Sequence, residues 1–176
     1  IKEYIDSAFR IAQSNLPGPV YLEMPLDLLM NWADDDLPLT SPQPPPRPAG
    51  DPNSIARAAD LLRSAEKPSF VVGAQLRWSA DREVLKRFAE AVRVPYFLNG
   101  MARGALPYAH DCLFTRSRKQ ALAESDVVFV FGTPFDFRVD YGRPGSWNPN
   151  AKIVQVDLDG AELGRNRSID VGIHGD

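Results

Sequence analysis

Small and polar residues with ligand-binding chemistry follow four apolar runs of the sequence. Each run is short and rich in β-branched or aromatic residues, which is typical of a strand covered on both faces of a parallel sheet. The runs are 69–72, 95–98, 127–131 and 152–156. The segments that follow them are Gly73-Ala74-Gln75, Asn99-Gly100-Met101, Gly132-Thr133-Pro134-Phe135 and Asp157-Leu158-Asp159. Because ligands of open α/β sheets bind outside the carboxyl ends of the strands, these segments predict one nucleotide-sized site.

Each of these residues also has a simpler interpretation, which stays open. Gly73 and Gly132 permit close approach of a ligand, but glycine is equally typical of a plain turn. Asp157 is suited either to accepting hydrogen bonds from a ribose or to capping the segment that starts at Gly160. Arginine binds phosphate in a bidentate manner, but an arginine in a loop is more often a solvated surface charge. Both interpretations apply to Arg103, Arg116, Arg118 and Arg138.

The composition excludes several classes of protein and function. The chain has 176 residues and a formal net charge of −3, which gives no support to general nucleic-acid binding. Neither the fingerprint GxGxxG nor the phosphate loop GxxxxGK[ST] is present, so the usual motifs of a simple NAD or ATP site are missing. The single cysteine, Cys112, is expected to be a buried thiol, and His110 is expected to support its loop. No apolar run is long enough for a membrane helix, and a cytoplasmic setting is expected.

The apolar spacing divides the chain into three parts. Residues 1–30 predict a helix over 2–15 and a strand over 19–24, and residues 31–52 form a proline-rich linker. Residues 53–176 alternate helices with the four strands, which predicts an α/β fold with a Rossmann-like parallel sheet flanked by helices. The helices are expected from Asp51–Pro52 to Ala65, from a cap at Ser79 through Val92, and around 119–124. No closing element is expected in the final segment, SIDVGIHGD.

Three motifs in a fixed order carry a family resemblance: GPVYLEMPLD at 18–27, GTPFDFR at 132–138 and VDLDGAELGRN at 156–166. With them, the chain resembles thiamine-diphosphate-dependent enzymes of the acetolactate synthase group, including oxalyl-CoA decarboxylase and 2-hydroxyacyl-CoA lyases. The resemblance implies that residues 1–30 end a pyrimidine-binding domain and that 53–176 form most of the central domain, of the deoxyhypusine-synthase-like NAD/FAD-binding type.

The resemblance also implies a division of labour. The glutamate that activates thiamine and the motif that binds magnesium and diphosphate lie outside this chain, so no catalytic residue and no metal ligand is expected within it. The parent enzyme is expected to make or break carbon–carbon bonds of 2-oxo acids or 2-hydroxyacyl-CoA, as a homodimer or homotetramer. Its other domains are the expected partners. In relatives the central domain binds FAD, binds ADP beside a CoA ester, or is empty.

The matched positions name the residues expected to line that nucleotide site: Gly73, Ala74, Gln75, Asn99, Gly100, Met101, Gly132, Thr133, Pro134, Phe135, Arg138, Asp157 and Leu158. This chain departs from the acetolactate synthase pattern at the triple-glycine turn, where it has Gly73-Ala74-Gln75 and therefore less room for a pyrophosphate. The insert before the next helix is replaced by CLFTRSR. FAD, an ADP- or CoA-type ligand and an empty site all stay open. So do a stand-alone regulatory module and a purely architectural domain.

Overall fold

The computed structural model describes residues 1–14, 16–32, 43, 45–79, 81 and 83–176. The chain divides into two compact units, residues 1–47 and 48–176. Half of the proline-rich linker predicted over 31–52, namely residues 33–42 and 44, lies outside the described residues. The domain boundaries at 30 and 53 therefore stay a prediction.

The first unit contains helix α1, Lys2–Ala12, and the short helix α2, Leu26–Met30. The predicted helix over 2–15 is present but ends at Ala12, and Gln13 is its C-cap residue. The predicted strand over 19–24 is wrong: these residues belong to no strand of the structure. A strand needs a neighbour to satisfy its N–H and C=O groups, and the described part of this unit supplies none. Neither helix buries a side chain.

The second unit is built on a five-stranded, wholly parallel sheet, which confirms the predicted fold class. The strands lie in the order β2-β1-β3-β4-β5, which is the flavodoxin-like order of a doubly wound fold. In this order the chain winds outward in both directions from the pair β1–β3, so the gap between those two strands is the topological switch point. The strands are β1 Pro68–Val72, β2 Tyr96–Leu98, β3 Val127–Phe131, β4 Lys152–Asp157 and β5 Val171–His174.

Strand β5 is the element that the sequence analysis missed. It lies in the segment SIDVGIHGD and pairs with β4 from Val171 opposite Val154 to His174 opposite Asp157. Its four residues include a glycine and only two buried apolar side chains, Val171 and Ile173. So short and interrupted a run gives no strand signal by itself, and its pairing with β4 decides its structure.

Three helices cover the sheet: α3 Pro52–Ser64, α4 Val84–Val92 and α5 Arg118–Glu124. Helix α3 begins as predicted, because the Asp51 carboxylate accepts a hydrogen bond from the Ser54 N–H at 2.8 Å and Pro52 supplies a helical φ. The predicted cap at Ser79 is wrong, because Ser79 does not cap α4. A 3₁₀ turn over Ala74–Trp78 ends at Ser79, and α4 starts only at Val84.

The sheet has a core on each face. Alternate strand residues belong to opposite faces, as the period of two requires. On one face they pack with α3 and α4 and include Phe70, Val72, Tyr96, Phe129, Val154, Ala58, Leu85 and Ala89. On the other they pack with α5 and the loop before β4 and include Val71, Phe97, Val128, Val130, Ile153, Leu122, Phe135 and Trp147.

The first core contains a buried hydroxyl that tests this packing. Tyr96 is fully buried, its hydroxyl has no hydrogen-bond partner among the described residues, and burial raises its pKa. A buried polar group without a partner costs free energy, so Tyr96→Phe is expected to keep or raise the free energy of unfolding, with any loss below about 0.5 kcal/mol. Urea denaturation measures this, with the exposed Tyr108→Phe as control. A loss above about 1 kcal/mol would show that the hydroxyl is hydrogen-bonded.

Candidate functional site

The carboxyl ends of β1, β3 and β4 meet at one edge of the sheet, and backbone hydrogen bonds continue past the strands. The Gly73 N–H donates to the Phe131 carbonyl at 2.7 Å, and the Gly132 N–H donates to the Val156 carbonyl at 2.8 Å. The turn after β1 then folds over this edge, since the Gln75 N–H donates to the Gly132 carbonyl at 3.2 Å. The predicted segments after these three strands therefore do come together.

The side chain of Gln75 joins β1 to the end of β4. Its Nε2 donates to Asp157 Oδ1 at 2.7 Å, and its Oε1 accepts a hydrogen bond from the Leu158 N–H at 3.0 Å. Only 8% of Gln75 is exposed. Asp157 and Leu158, which were predicted to line a ligand site, are thus bound to an amide of the protein itself.

Two glycines at this edge are needed for contacts within the protein. A Cβ at Gly73 would lie 2.3 Å from the Thr133 Cβ and 2.4 Å from the Gly132 carbonyl oxygen. Gly132 has φ +58°, and a Cβ there would lie 2.5 Å from the Gln75 Cβ. The two turns therefore pack directly on each other at the switch point, where a phosphate would otherwise approach the backbone.

Asp157 is a buried carboxyl group with incomplete hydrogen bonding. It is 1% exposed; its Oδ1 also accepts from the Asp159 N–H at 2.8 Å, whereas its Oδ2 has no partner among the described residues. Burial raises its pKa, although the bonds from Gln75 and Asp159 oppose the shift. The segment that starts at Gly160 is capped by Asp159 rather than by Asp157, since the Asp159 side chain accepts a hydrogen bond from the Ala161 N–H at 2.9 Å.

A cavity of about 450 Å³ opens beside Gln75, between the sheet edge and α4. Its floor contains Val72, Phe131 and Val156, one residue from each of the three strand ends. Its α4 wall contains Val84 and Phe88, which are 43% and 37% exposed although apolar. Polar groups enter the lining from other segments, namely Ser79, Asp81 and Asp176. This volume is within the range of small-molecule sites, roughly 300–1,000 Å³.

Of the residues predicted for the site, only Gln75, Gly132 and Leu158 line this cavity. Val84 and Phe88 of α4 were not predicted for the site, because the stretch from Ser79 through Val92 predicted only a helix. Asp81 and Asp176, which lie in no motif, were not predicted either. The partly exposed apolar pair at α4 was the available signal, but it is visible only when the neighbouring strand ends are known.

The remaining predicted residues are placed away from the cavity lining. Asn99 is buried and its side chain accepts from the Gly100 N–H at 3.0 Å, while Met101 is half exposed. Phe135 is fully buried against Trp147, with ring centroids 5.4 Å apart. Thr133 is buried against Gly73; Ala74 and Pro134 are partly buried.

The arginines divide into two groups. Arg138 donates from Nε to Asp136 Oδ2 at 3.0 Å, so its charge is already paired. A second cavity of about 570 Å³ beside β2 is lined by Arg103, Arg116 and Arg118, and also by Lys119. The structure therefore brings together three of the four predicted arginines, with an additional lysine that the sequence analysis did not select.

The expectations for Cys112 and His110 are confirmed. Cys112 is a buried free thiol, and its N–H donates to His110 Nδ1 at 3.1 Å, which shapes the loop. In the described ranges, no three His, Cys, Asp or Glu residues are placed to hold a metal ion together. As far as the structure describes the chain, no helix has the length and apolar character needed to cross a membrane.

The strand order and the packing define a doubly wound, parallel α/β domain. The family profile described as "Thiamine pyrophosphate enzyme, central domain" matches residues 55–176. The chain therefore belongs to the thiamine pyrophosphate enzymes, as their central domain, which confirms the resemblance found in its motifs.

Individual relatives agree with this assignment. An acetolactate synthase large subunit from Mycobacterium tuberculosis is 32% identical over 175 residues, and an oxalyl-CoA decarboxylase from Escherichia coli is 32% identical over 173. These matches cover 98% and 96% of this chain but 31% and 30% of the relatives. An X-ray structure of a Mycobacterium smegmatis protein, described as a thiamin diphosphate-dependent enzyme, has the same fold. Its TM-score is 0.80 at 21% identity, covering 99% of this chain and 34% of that one.

Substitution of Gly132 tests the packing at the switch point. Gly132→Ala forces both a positive φ and a clash with Gln75, so we expect it to lower the free energy of unfolding by about 2–4 kcal/mol. Gly104→Ala is the matched control, since its φ is +91° but nothing lies within 4 Å of the added Cβ. Urea denaturation measures the loss in both variants. The difference between them gives the cost of the clash with Gln75, since the positive φ is common to both. Equal losses in the two variants would contradict the close contact between Gly132 and Gln75.

Neutralising Asp157 tests the cost of its burial. The pKa of Asp157 in the folded state is above the unfolded value near 3.8, so the folded state holds the proton more tightly. The wild type therefore loses stability as the pH rises from the unfolded pKa to the folded pKa. Asp157→Asn keeps an acceptor for Gln75 but carries no charge, so we expect it to equal or exceed the wild type at about pH 7 and to lose this advantage at about pH 4.

Urea denaturation at the two pH values measures the difference, with the exposed Asp60→Asn as control. A variant that is less stable than the wild type at neutral pH would contradict a raised pKa for Asp157.

Proposed function

We propose that this chain is an adenine-nucleotide-binding central domain of an acetolactate-synthase-like enzyme that depends on thiamine diphosphate. The observation that carries the proposal is the cavity at the carboxyl edge of β1, β3 and β4. Sites of open α/β sheets lie at this edge and beside the switch point. The parent enzyme is proposed to act on 2-oxo acids or 2-hydroxyacyl-CoA by forming or cleaving a carbon–carbon bond.

The cavity lining suits a nucleoside. Phe88 and Phe131 offer aromatic surface to a purine ring, and aromatic contacts of this kind favour flat ligands. Ser79 brings a hydroxyl to the same cavity, where it suits the hydroxyls of a ribose, whereas the Asp81 carboxylate is paired with Arg87. ADP or a CoA-type ligand fits this arrangement, with the adenosine inside and the phosphates toward solvent.

The cofactor and metal of the parent enzyme are proposed to bind in other domains. In the parent enzyme, thiamine diphosphate would supply nucleophilic and electron-sink chemistry toward the acyl substrate. No residue of this chain is proposed to hold it or its magnesium ion. The matched relatives are about three times as long as this chain, which leaves room for such domains beyond it.

The domain layout proposed from the motifs accompanies this function. Residues 1–30 end the pyrimidine-binding domain, 31–52 link it, and 53–176 form the central domain. The helices of the first unit bury none of their side chains, and exposed apolar residues such as Tyr21 and Met30 suit a partner domain of the parent. A homodimeric or homotetrameric parent in the cytoplasm is part of the proposal.

A second candidate is a purely architectural domain that binds no nucleotide. The contact of Gly73 with Thr133 and the bonds of Gln75 favour it, because they fill the switch point with protein. A stand-alone regulatory module is the third candidate, and binding of NAD alone would distinguish it.

Calorimetric titration of the purified protein with ADP, CoA, FAD and NAD tests the proposal. We expect ADP or CoA to bind, and the affinity to fall by about tenfold or more in Val84→Trp, which fills the cavity. Lys86→Trp is the matched control, since Lys86 lies on the same helix and is exposed. Its affinity should stay within about threefold of wild type. Absence of binding in the folded wild type would favour the architectural role.

A further inference from the structure

The side chain of Gln75 lies where a dinucleotide such as FAD or NAD would have to cross the sheet edge. In doubly wound folds the phosphate approaches the backbone at the switch point, which requires turns without bulky side chains. Here the switch point is the β1–β3 pair, and Gln75 is the third residue after β1. The Gln75 side chain packs on Gly132 and reaches β4, so that it covers the ends of three strands.

We infer that Gln75 determines which nucleotides this domain accepts. It admits ligands with one adenosine whose phosphates point toward solvent, such as ADP or CoA, and it excludes dinucleotides such as FAD and NAD, which bind across the switch point. This inference rests on the proposed function and names the ligand class of that same site. ADP and similar ligands occupy only the cavity under α4. FAD and NAD need the space that Gln75 fills.

Four contacts hold Gln75 in place. The Gln75 amide donates to Asp157 and accepts from Leu158, so that moving it leaves a buried carboxyl and a buried N–H without partners. Its Cβ lies against Gly132, and its own N–H is bonded to the Gly132 carbonyl. A ligand that displaces Gln75 must therefore replace two buried hydrogen bonds, which lowers its affinity.

Asp157 is a positioning residue in this account. It is almost completely buried beneath Gln75, so it orients the amide rather than touching the ligand. The predicted role of Asp157 in binding a ribose directly would require Gln75 to be absent. A shorter side chain at position 75 is therefore expected to expose both the carboxylate and the path across Gly73 and Gly132.

The test compares FAD and ADP binding in the wild type and in two variants of position 75. Gln75→Gly removes the side chain, and Gln75→Asn retains an amide that is one methylene shorter. Gln120→Ala is the control, because Gln120 is an exposed glutamine on α5. Calorimetry gives the affinities, and thermal unfolding shows which variants are folded.

We expect the wild type to bind ADP about tenfold more tightly than FAD, and Gln75→Gly to raise the FAD-to-ADP affinity ratio by about tenfold or more. Gln75→Asn should also raise the FAD-to-ADP affinity ratio. This variant is compared with the wild type if Gln75→Gly does not fold. An unchanged FAD-to-ADP ratio with ADP still bound overturns the inference alone. Loss of ADP binding in every folded protein, wild type included, overturns the proposed function as well.

Discussion

The hydrogen bond between Gln75 and Asp157 is the interaction on which the carboxyl edge of this domain depends. Strands β1 and β4 are not neighbours in the sheet, since β3 lies between them. The Gln75 side chain spans that gap and binds both the carboxyl of Asp157 and the backbone N–H of Leu158. Hydrogen bonds to a charged group contribute about 1.5–3 kcal/mol, and more is lost when one buried partner is removed.

This interaction explains the residues around it. Gly132 must lack a side chain because Gln75 lies over it, and Gly73 must lack one because Thr133 fills the adjoining space. Asp157 stays buried although burial disfavours its charge. A sequence optimised only for stability would avoid such a group, so its presence suits a site where ligand selection matters. The cavity then lies beside the covered switch point rather than at it.

The sheet could be predicted from the sequence because β1 to β4 are short runs rich in apolar residues, most of them buried. Helix α3 could be placed because Asp51 and Pro52 act locally. Strand β5 could not be predicted, since its four residues are fixed by pairing with β4 rather than by their own preferences. The strand expected over 19–24 fails for the converse reason: its apolar pattern is strong, but it has no neighbour among the described residues.

The site was harder to predict than the fold. The segments that follow the predicted strands placed Gly73, Gln75, Gly132, Asp157 and Leu158 at one edge, and the structure brings them together. Their partners could not be read from the pattern, because the sequence does not show whether a side chain binds a ligand or a neighbouring loop. The cavity also needs Val84 and Phe88 of α4, whose distance from the strand ends is a tertiary property.

A crystal structure of the purified protein with ADP tests the central claim most directly. The account predicts adenosine density in the cavity between α4 and the strand ends, with the Gln75–Asp157 hydrogen bond retained. Density that crosses Gly73 and Gly132, with the Gln75 side chain turned away from Asp157, would contradict it.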